Sequence, residues 1–253
     1  MPRSMDPAER VHRAGSFAGV AQEYDRGRPG YPREAIDWIL GSRPLEVLDL
    51  GAGTGKLADA VLAAGHDVTA VEPLAEMRDV LAARHDDVHV IEGAAEQLPL
   101  ADGSFDAVVV GAAFHWFEQD AALAEIARVL RPGGVLGLLG NSFDTSRSWA
   151  AELREILGQP TLGRAGHWPE PERLTGMFET VDDAEFPHAR ETTLEQLRDY
   201  ASSRSSFAVL GEAERDERLA EIDRLWERAP ELAGRSQAQL HWITRVRRCR
   251  GRV

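Results

Sequence analysis

The chain has a single lysine, Lys56, and a single cysteine, Cys249, among its 253 residues. One cysteine can make no internal disulfide and cannot build a zinc site from thiolates, which predicts a protein of a reducing compartment, the cytoplasm. Long apolar runs are missing too, so no segment is expected to span a membrane. The residues Met1-Pro2-Arg3-Ser4-Met5-Asp6 lack the apolar centre of a signal peptide. Positive charge is in deficit: 29 Lys and Arg stand against 42 Asp and Glu, a formal net charge of −13. Such a surface repels phosphate backbones, and no nucleic-acid partner is expected. The arginines Arg245, Arg247, Arg248, Arg250 and Arg252 read as a strand edge and solvated tail. There is no internal repeat or low-complexity tract.

What is present is a chain long enough to bury a sizeable core as one α/β domain with a cap or insertion. Strands and helices alternate through the first two-thirds, the pattern of a doubly wound parallel sheet. Strands are expected at 45–50, 67–71, 88–91, 105–111 and 135–139. Helices are expected at 56–64, 75–84 and 121–130, the last stopped by Arg131-Pro132-Gly133-Gly134. Beyond Asn141 the pattern changes: helix at 149–157, turn-rich sequence at 158–171, a strand within 178–190, helices at 194–203 and 212–228, and a strand at 240–248.

The most telling run is Leu45 to Leu57, containing Asp49-Leu50-Gly51-Ala52-Gly53-Thr54-Gly55, answered by Glu72 at the end of the next apolar stretch. A strand feeds a glycine turn that opens a helix, and an acidic residue at the tip of the following strand can hold a ribose diol. This predicts a nucleoside-cofactor site. A phosphate-cradling P-loop is excluded, because Leu50 and Leu57 occupy the places of its glycine and its Ser or Thr. A dinucleotide fingerprint is weakened, since the third glycine comes one residue early.

The remaining pattern, D-x-G-x-G-x-G, resembles that of the class I S-adenosylmethionine-dependent methyltransferases. The likeness continues through Val71-Glu72-Pro73 with Met77, Glu92-Gly93-Ala94-Ala95-Glu96-Gln97-Leu98-Pro99-Leu100, Gly103-Ser104-Phe105-Asp106-Ala107-Val108-Val109-Val110, and Leu130-Arg131-Pro132-Gly133-Gly134. Arg28-Pro29-Gly30-Tyr31-Pro32 and Ala113-Phe114-His115-Trp116-Phe117 narrow it to the type 11 group that includes trans-aconitate methyltransferase-like proteins. The resemblance implies a Rossmann-like doubly wound seven-stranded sheet whose last two strands form an antiparallel edge. It also implies an N-terminal lid over 1–34, a methyltransferase domain over 35–253 and a helical insertion over about 141–175.

Its implied cofactor is S-adenosylmethionine, released as S-adenosylhomocysteine, and its implied partner is a small-molecule acceptor. Gly51, Ala52, Gly53, Thr54 and Gly55 would run beneath the cofactor, Asp49 would accept from its ammonium directly or through water, and Glu72 would take both ribose hydroxyls. Pro73 and Met77 would pack on adenine. Family members commonly carry an aspartate at the position of Ala94; its lack here leaves adenine to Ala94, Ala95 and Glu96. Gly111 and Ala112 would border the cofactor at the carboxyl end of the fourth strand. Tyr24 and Arg28 of the lid would close on the methionyl carboxylate or on substrate. Tyr31, His115, Trp116 and Asn141 are the candidate substrate residues, with His115 the candidate general base. Two other readings stay open on sequence: a non-catalytic cofactor-binding scaffold or regulatory subunit, and an NAD(P)-dependent oxidoreductase.

Overall fold

The computed structural model describes residues 18–158, 168–208 and 210–252. Seven strands form: β1 (Glu46–Leu50), β2 (Asp67–Val71), β3 (His89–Ile91), β4 (Phe105–Gly111), β5 (Leu130–Phe143), β6 (Thr180–Thr193) and β7 (Gln237–Arg250). The α-helices are α1 (Ala21–Gly27), α2 (Arg33–Leu40), α3 (Lys56–Ala63), α4 (Ala75–Arg84), α5 (Gln119–Val129), α6 (Ser148–Ile156), α7 (Pro171–Leu174), α8 (Leu194–Ser202), α9 (Ser205–Ala208) and α10 (Glu212–Arg228).

The strands make one sheet in the order β3-β2-β1-β4-β5-β7-β6. The first five run parallel, with Leu48 opposite Thr69 on one side and Val108 on the other. Of the last two, β7 alone reverses, and β6, antiparallel to it, runs with the first five. Gly251 donates to the Gly134 carbonyl at 2.7 Å, while Ser142 further along β5 reaches Ile243 further back along β7. The same reversal pairs Arg247 with Asp183 and Arg245 with Glu185 across β7 and β6. This is the expected class I methyltransferase sheet.

The chain divides into two compact units. The sheet unit holds described residues 30–142, 168–188 and 243–252, and the helical unit holds 18–29, 143–158, 189–208 and 210–242. Of the expected lid, residues 1–17 lie outside the described residues, 18–29 belong to the helical unit and 30–34 to the sheet unit. Residues 159–167 of the expected insertion also lie outside them.

Period-two alternation sorts the sheet unit's strands into two faces. Leu48, Leu50, Val108, Val110, Leu136 and Leu138 pack with Leu123 and Ile126 of α5. Val47, Ala107, Val109 and Leu139 pack with Ile36 and Ile39 of α2, Leu57 and Val61 of α3 and Leu81 of α4. Each such fully buried aliphatic side chain contributes about 1.5–3 kcal/mol. The helical unit has its own core, in which Phe143, Tyr200 and Trp242 stack beside Leu153, Phe207, Ile222 and Trp226.

Two expectations are corrected. The Arg131-Pro132-Gly133-Gly134 stretch belongs to β5, because Gly133, at φ +74°, donates to the Arg252 carbonyl and Gly134 accepts from the Gly251 amide, which ties the stretch to the chain just after β7. A register shift in β4 between Phe105 and Ala107 absorbs the irregularity. Helix α2 was not expected after the prolines of the Arg28–Pro32 stretch. Pro32 accepts from the Ala35 amide at its start, and the apolar Ile36 and Ile39 are buried.

Candidate active site

In this sheet order the crossover direction changes between β1 and β4, so ligands are expected at the carboxyl ends of those strands. The glycine turn leaves β1 there. Gly51 and Ala52 both donate to the Val71 carbonyl, at 2.8 and 3.1 Å, which ties the turn to the end of β2. Gly51 has φ +70°, and a Cβ on it would meet Ala113 Cβ at 2.8 Å and Phe117 at 3.1 Å. A side chain fits there in neither conformation nor space. Gly53 and Gly55 also have positive φ, and Gly55 is the residue from which α3 begins.

Glu72, 6% exposed, is held at the tip of β2 by backbone. Its Oε2 accepts from the Gly53 amide at 2.9 Å and its Oε1 from the Leu74 amide at 3.0 Å. A carboxylate oxygen has two lone pairs, so each keeps capacity for one more donor. Burial raises the Glu72 pKa above the usual range, and the Leu74 and Gly53 amides and Arg78 oppose that rise. Arg78 fixes the same corner by donating to the carbonyls of Glu72 and Pro73 and to Glu92.

Asp49 shares a strand face with Val47 and lies wholly buried. Neither of its oxygens has a hydrogen-bond partner among the described residues. Burial pushes its carboxyl up to about 8; the Ala58 amide, outside hydrogen-bond geometry, works the other way, while the charge of Glu72 adds to the rise. Thr54 is equally buried, and its hydroxyl is without a partner among the described residues.

On the expected adenine side, Ala94 is exposed, Ala95 buried, and Glu96 accepts from the Glu118 amide at 2.6 Å. Pro73 is exposed, whereas Met77 is 2% exposed and packed into the unit. The segment after Glu96 is pinned by a pair the sequence reading passed over. Glu125 accepts from the Leu98 amide, and Arg128 donates to Leu98 and Leu100. The Arg128 guanidinium, with that amide, pulls the Glu125 carboxyl down to about 2. Their spacing of three on α5 marks a helix pair, but nothing local says what it grips.

At the end of β4, Gly111 lies under the Tyr31 hydroxyl, which would sit 2.8 Å from a Cβ there. Ala112 follows with φ +54°, a sparsely populated conformation for a residue with a side chain, held by its amide donating to Leu139. A 3-10 turn over Phe114–Trp116 then carries His115, whose ring lies 4.5 Å from the Trp116 ring. Trp116 leans on the α5-side core. The structure thus brings Tyr31, Gly111 and Ala112 together, with His115 three residues beyond.

Asn141, at the far end of β5, belongs to a chain of polar groups whose direction is fixed. Its Nδ2 donates to the Gly30 carbonyl at 3.0 Å, so its Oδ1 must accept from Thr244 Oγ1 at 2.5 Å. Thr244 has then spent its proton, and His188 Nε2, 3.0 Å away, must donate to it. Burial lowers the His188 pKa against the charge of Glu34 and so favours the neutral ring, and the hydrogen-bond direction puts its proton on Nε2. Sequence reasoning missed His188 and Thr244, because only the β6–β7 register brings them to Asn141.

Tyr24 and Arg28 lie in the helical unit. Arg28 donates to Ser203 Oγ at 3.0 Å and to its carbonyl at 2.9 Å, and its guanidinium stacks 4.7 Å from the Tyr24 ring centroid. A cleft of about 750 Å³ in this unit, lined by Val20, Glu23, Leu194, Arg198, Asp199 and Leu219 among others, contains none of the expected site residues. Among the described residues no helix is long and apolar enough to cross a membrane, and no group of acidic, His or Cys side chains could hold a metal ion.

A methyltransferase domain family model matches residues 48–138, the stretch from β1 to β5. An uncharacterized methyltransferase of Mycobacterium tuberculosis is 41% identical over 232 residues, covering 90% of this chain and 93% of the relative. A ubiquinone/menaquinone biosynthesis C-methyltransferase of Rubrivivax gelatinosus is 38% identical over 201 residues, 74% of this chain and 78% of the relative. Among solved structures, a type II methyltransferase from Anaeromyxobacter dehalogenans superposes with a TM-score of 0.64 at 23% identity, covering 89% and 97% of the two chains. The glycine turn, the Glu72 corner and these likenesses place the chain in one family: it belongs to the S-adenosylmethionine-dependent methyltransferases.

Proposed function

We propose that the chain methylates an oxygen, nitrogen or carbon of a small metabolite, with Glu72 holding the cofactor's ribose and His115 taking the proton that the acceptor loses. The observation that carries the cofactor part is Glu72, a nearly buried carboxylate oriented by two backbone amides with lone pairs to spare. Two further features support the fit. Gly51 leaves a cradle that a Cβ would fill, and Asp49 is a buried acid without a hydrogen-bond partner among the described residues. Fully enclosed, Asp49 acts on a bound ammonium through its field or a bridging water rather than by direct contact.

The cofactor's sulfonium supplies a methyl group already activated for transfer. What remains for the protein is alignment and proton handling. The Gly51–Gly55 backbone and Glu72 orient the nucleoside, Ala94, Ala95 and Glu96 border its base, and Tyr31 with the Gly111–Ala112 corner shapes the acceptor side. Asn141 holds the Gly30 carbonyl and so the entry of the Tyr31 segment. His115 accepts a proton from a phenol, amine or carbon acid; an ionised carboxylate acceptor needs no such step.

The test is incubation with methyl-labelled cofactor and a metabolite extract. Label in a small molecule supports the reading. Label-free extract from a protein that binds S-adenosylhomocysteine would leave a cofactor-binding scaffold.

A further inference from the structure

Tyr31 is fixed by packing on one side and by a hydrogen bond on the other. On its C-terminal side Pro32 accepts from the Ala35 amide and opens α2. That helix is seated through buried Ile36 and Ile39, the latter so close to β5 that a Cβ on Gly137 would fall 2.9 Å from it. On the N-terminal side Gly30 is exposed, and a Cβ built there would meet nothing within 4 Å. Packing does not fix Gly30; the bond its carbonyl accepts from Asn141 Nδ2 does. Whatever sets Asn141 therefore sets the entry to Tyr31.

An asparagine amide can turn over, exchanging its oxygen and its nitrogen. The outer edge of the sheet decides which way this one stands. Thr244 on β7 is wholly buried and gives its proton to Asn141 Oδ1, while His188 on β6 donates to Thr244. The opposite polarity needs a His188 that accepts, and it sets Asn141 Oδ1 against the Gly30 carbonyl, two acceptors face to face. Leu139, Val246 and Phe186, two residues away on the same three strands, all pack on the α2 side. Period two puts Asn141, Thr244 and His188 on that face as well. Phe186 meets Trp38 of α2 edge-on, with ring centroids 6.1 Å apart, which anchors the strand that carries His188.

We propose that Thr244 and His188 are positioning residues for methyl transfer: through Asn141 they fix Gly30, and so hold the Tyr31 hydroxyl over Gly111 at the carboxyl end of β4. The inference rests on the acceptor-side reading given above and adds to it two residues outside the 48–138 stretch of the family model. All the residues involved belong to the sheet unit. Alignment is the main demand on the protein here, and a misplacement of about 1 Å arising far from the chemistry can cost about 10²-fold in rate.

The experiment follows one labelled product as methyl-labelled S-adenosylmethionine is incubated with a dilution series of metabolite extract, and each variant is also titrated with S-adenosylhomocysteine. Thr244→Val keeps the shape and loses the hydroxyl. Its kcat/KM for the acceptor is expected to fall about tenfold or more, with cofactor-product affinity within about twofold of wild type. Thr244→Ser restores the hydroxyl and should recover most of the loss. His188→Phe should behave as Thr244→Val does, and His188→Gln, whose amide can donate from the place of Nε2, should recover. Because the residues act as one chain, adding Asn141→Ala to Thr244→Val should cost no more than the larger single change. Wild-type kcat/KM in Thr244→Val, a Thr244→Ser no better than Thr244→Val, or losses that multiply in the double variant each overturn the proposal. So does cofactor-product affinity that falls in step with activity, the mark of a sheet edge loosened as a whole. Wild type that binds S-adenosylhomocysteine and labels no product contradicts the methyl-transfer reading and this inference with it, and it is told apart from the other failures because it precedes any substitution.

Discussion

The sheet unit buries a carboxylate, Asp49, for which the described residues provide no hydrogen-bond partner; the helical unit encloses a guanidinium nitrogen, Arg204 Nε, in the same condition. Both units have complete apolar cores, so neither shortfall reflects poor packing. A buried polar or ionisable group without a partner costs stability, and such groups persist where a ligand offsets the cost. The two units therefore differ in what they leave over: an acid in one and a guanidinium nitrogen in the other. The acid follows a local motif, and the arginine does not.

The sharpest way to break this comparison is to separate chemistry from binding. His115→Phe is expected to lower turnover about 10²- to 10⁴-fold with the affinity for S-adenosylhomocysteine unchanged, read by steady-state kinetics and calorimetry. Unchanged turnover across pH makes His115 structural. Next comes the helical scaffold. Gly27→Ala places a methyl group against the Tyr200 backbone and should cost about 3 kcal/mol, lowering the melting temperature. A melting temperature equal to wild type contradicts the close approach.

Glu72→Ala removes the acceptor expected for the ribose hydroxyls and also leaves the Gly53 and Leu74 amides without their carboxylate. Cofactor-product binding should weaken by about 1.5–3 kcal/mol, and the ligand-free protein should lose stability as well. Retained affinity in a folded variant puts the ribose elsewhere.

The last expected effect concerns pH. Asp49 titrates at about 8 when folded against 3.8 as its ordinary value, so between these limits the unfolded chain has released a proton that the folded chain retains. Stability contributed by this group therefore falls as pH rises from about 4 to about 8. Asp49→Asn removes that slope, and chemical denaturation at pH 5 and pH 8 should show the variant gaining on wild type at the higher value. Parallel pH dependences would show that Asp49 is ionised in the fold.

Much of the sheet unit was legible because its signals are local. The glycine turn, the acid after β2 and the apolar run of β4 each declare themselves within a few residues, and β2, α4, β4 and α10 fall where periodicity puts them. The fifth strand was misjudged at its start because the hydrogen bonds that hold Gly133 and Gly134 in the sheet come from residues more than a hundred positions away. The same reason hides His188, Thr244 and Arg204. A histidine on β6, a threonine on β7 and an arginine after α8 carry no local mark, and acquire one only through hairpin register or the stacking of two helices on a glycine. Met77 was readable as a residue type but not as core or contact, and its burial answers only the first half of that question.

The account rests on the cofactor corner formed by Gly51–Gly55 and Glu72, and calorimetric titration of the full chain with S-adenosylhomocysteine tests it most directly. A dissociation constant in the micromolar range, about −8 kcal/mol, is the predicted result. No heat of binding together with no rise in melting temperature would contradict it.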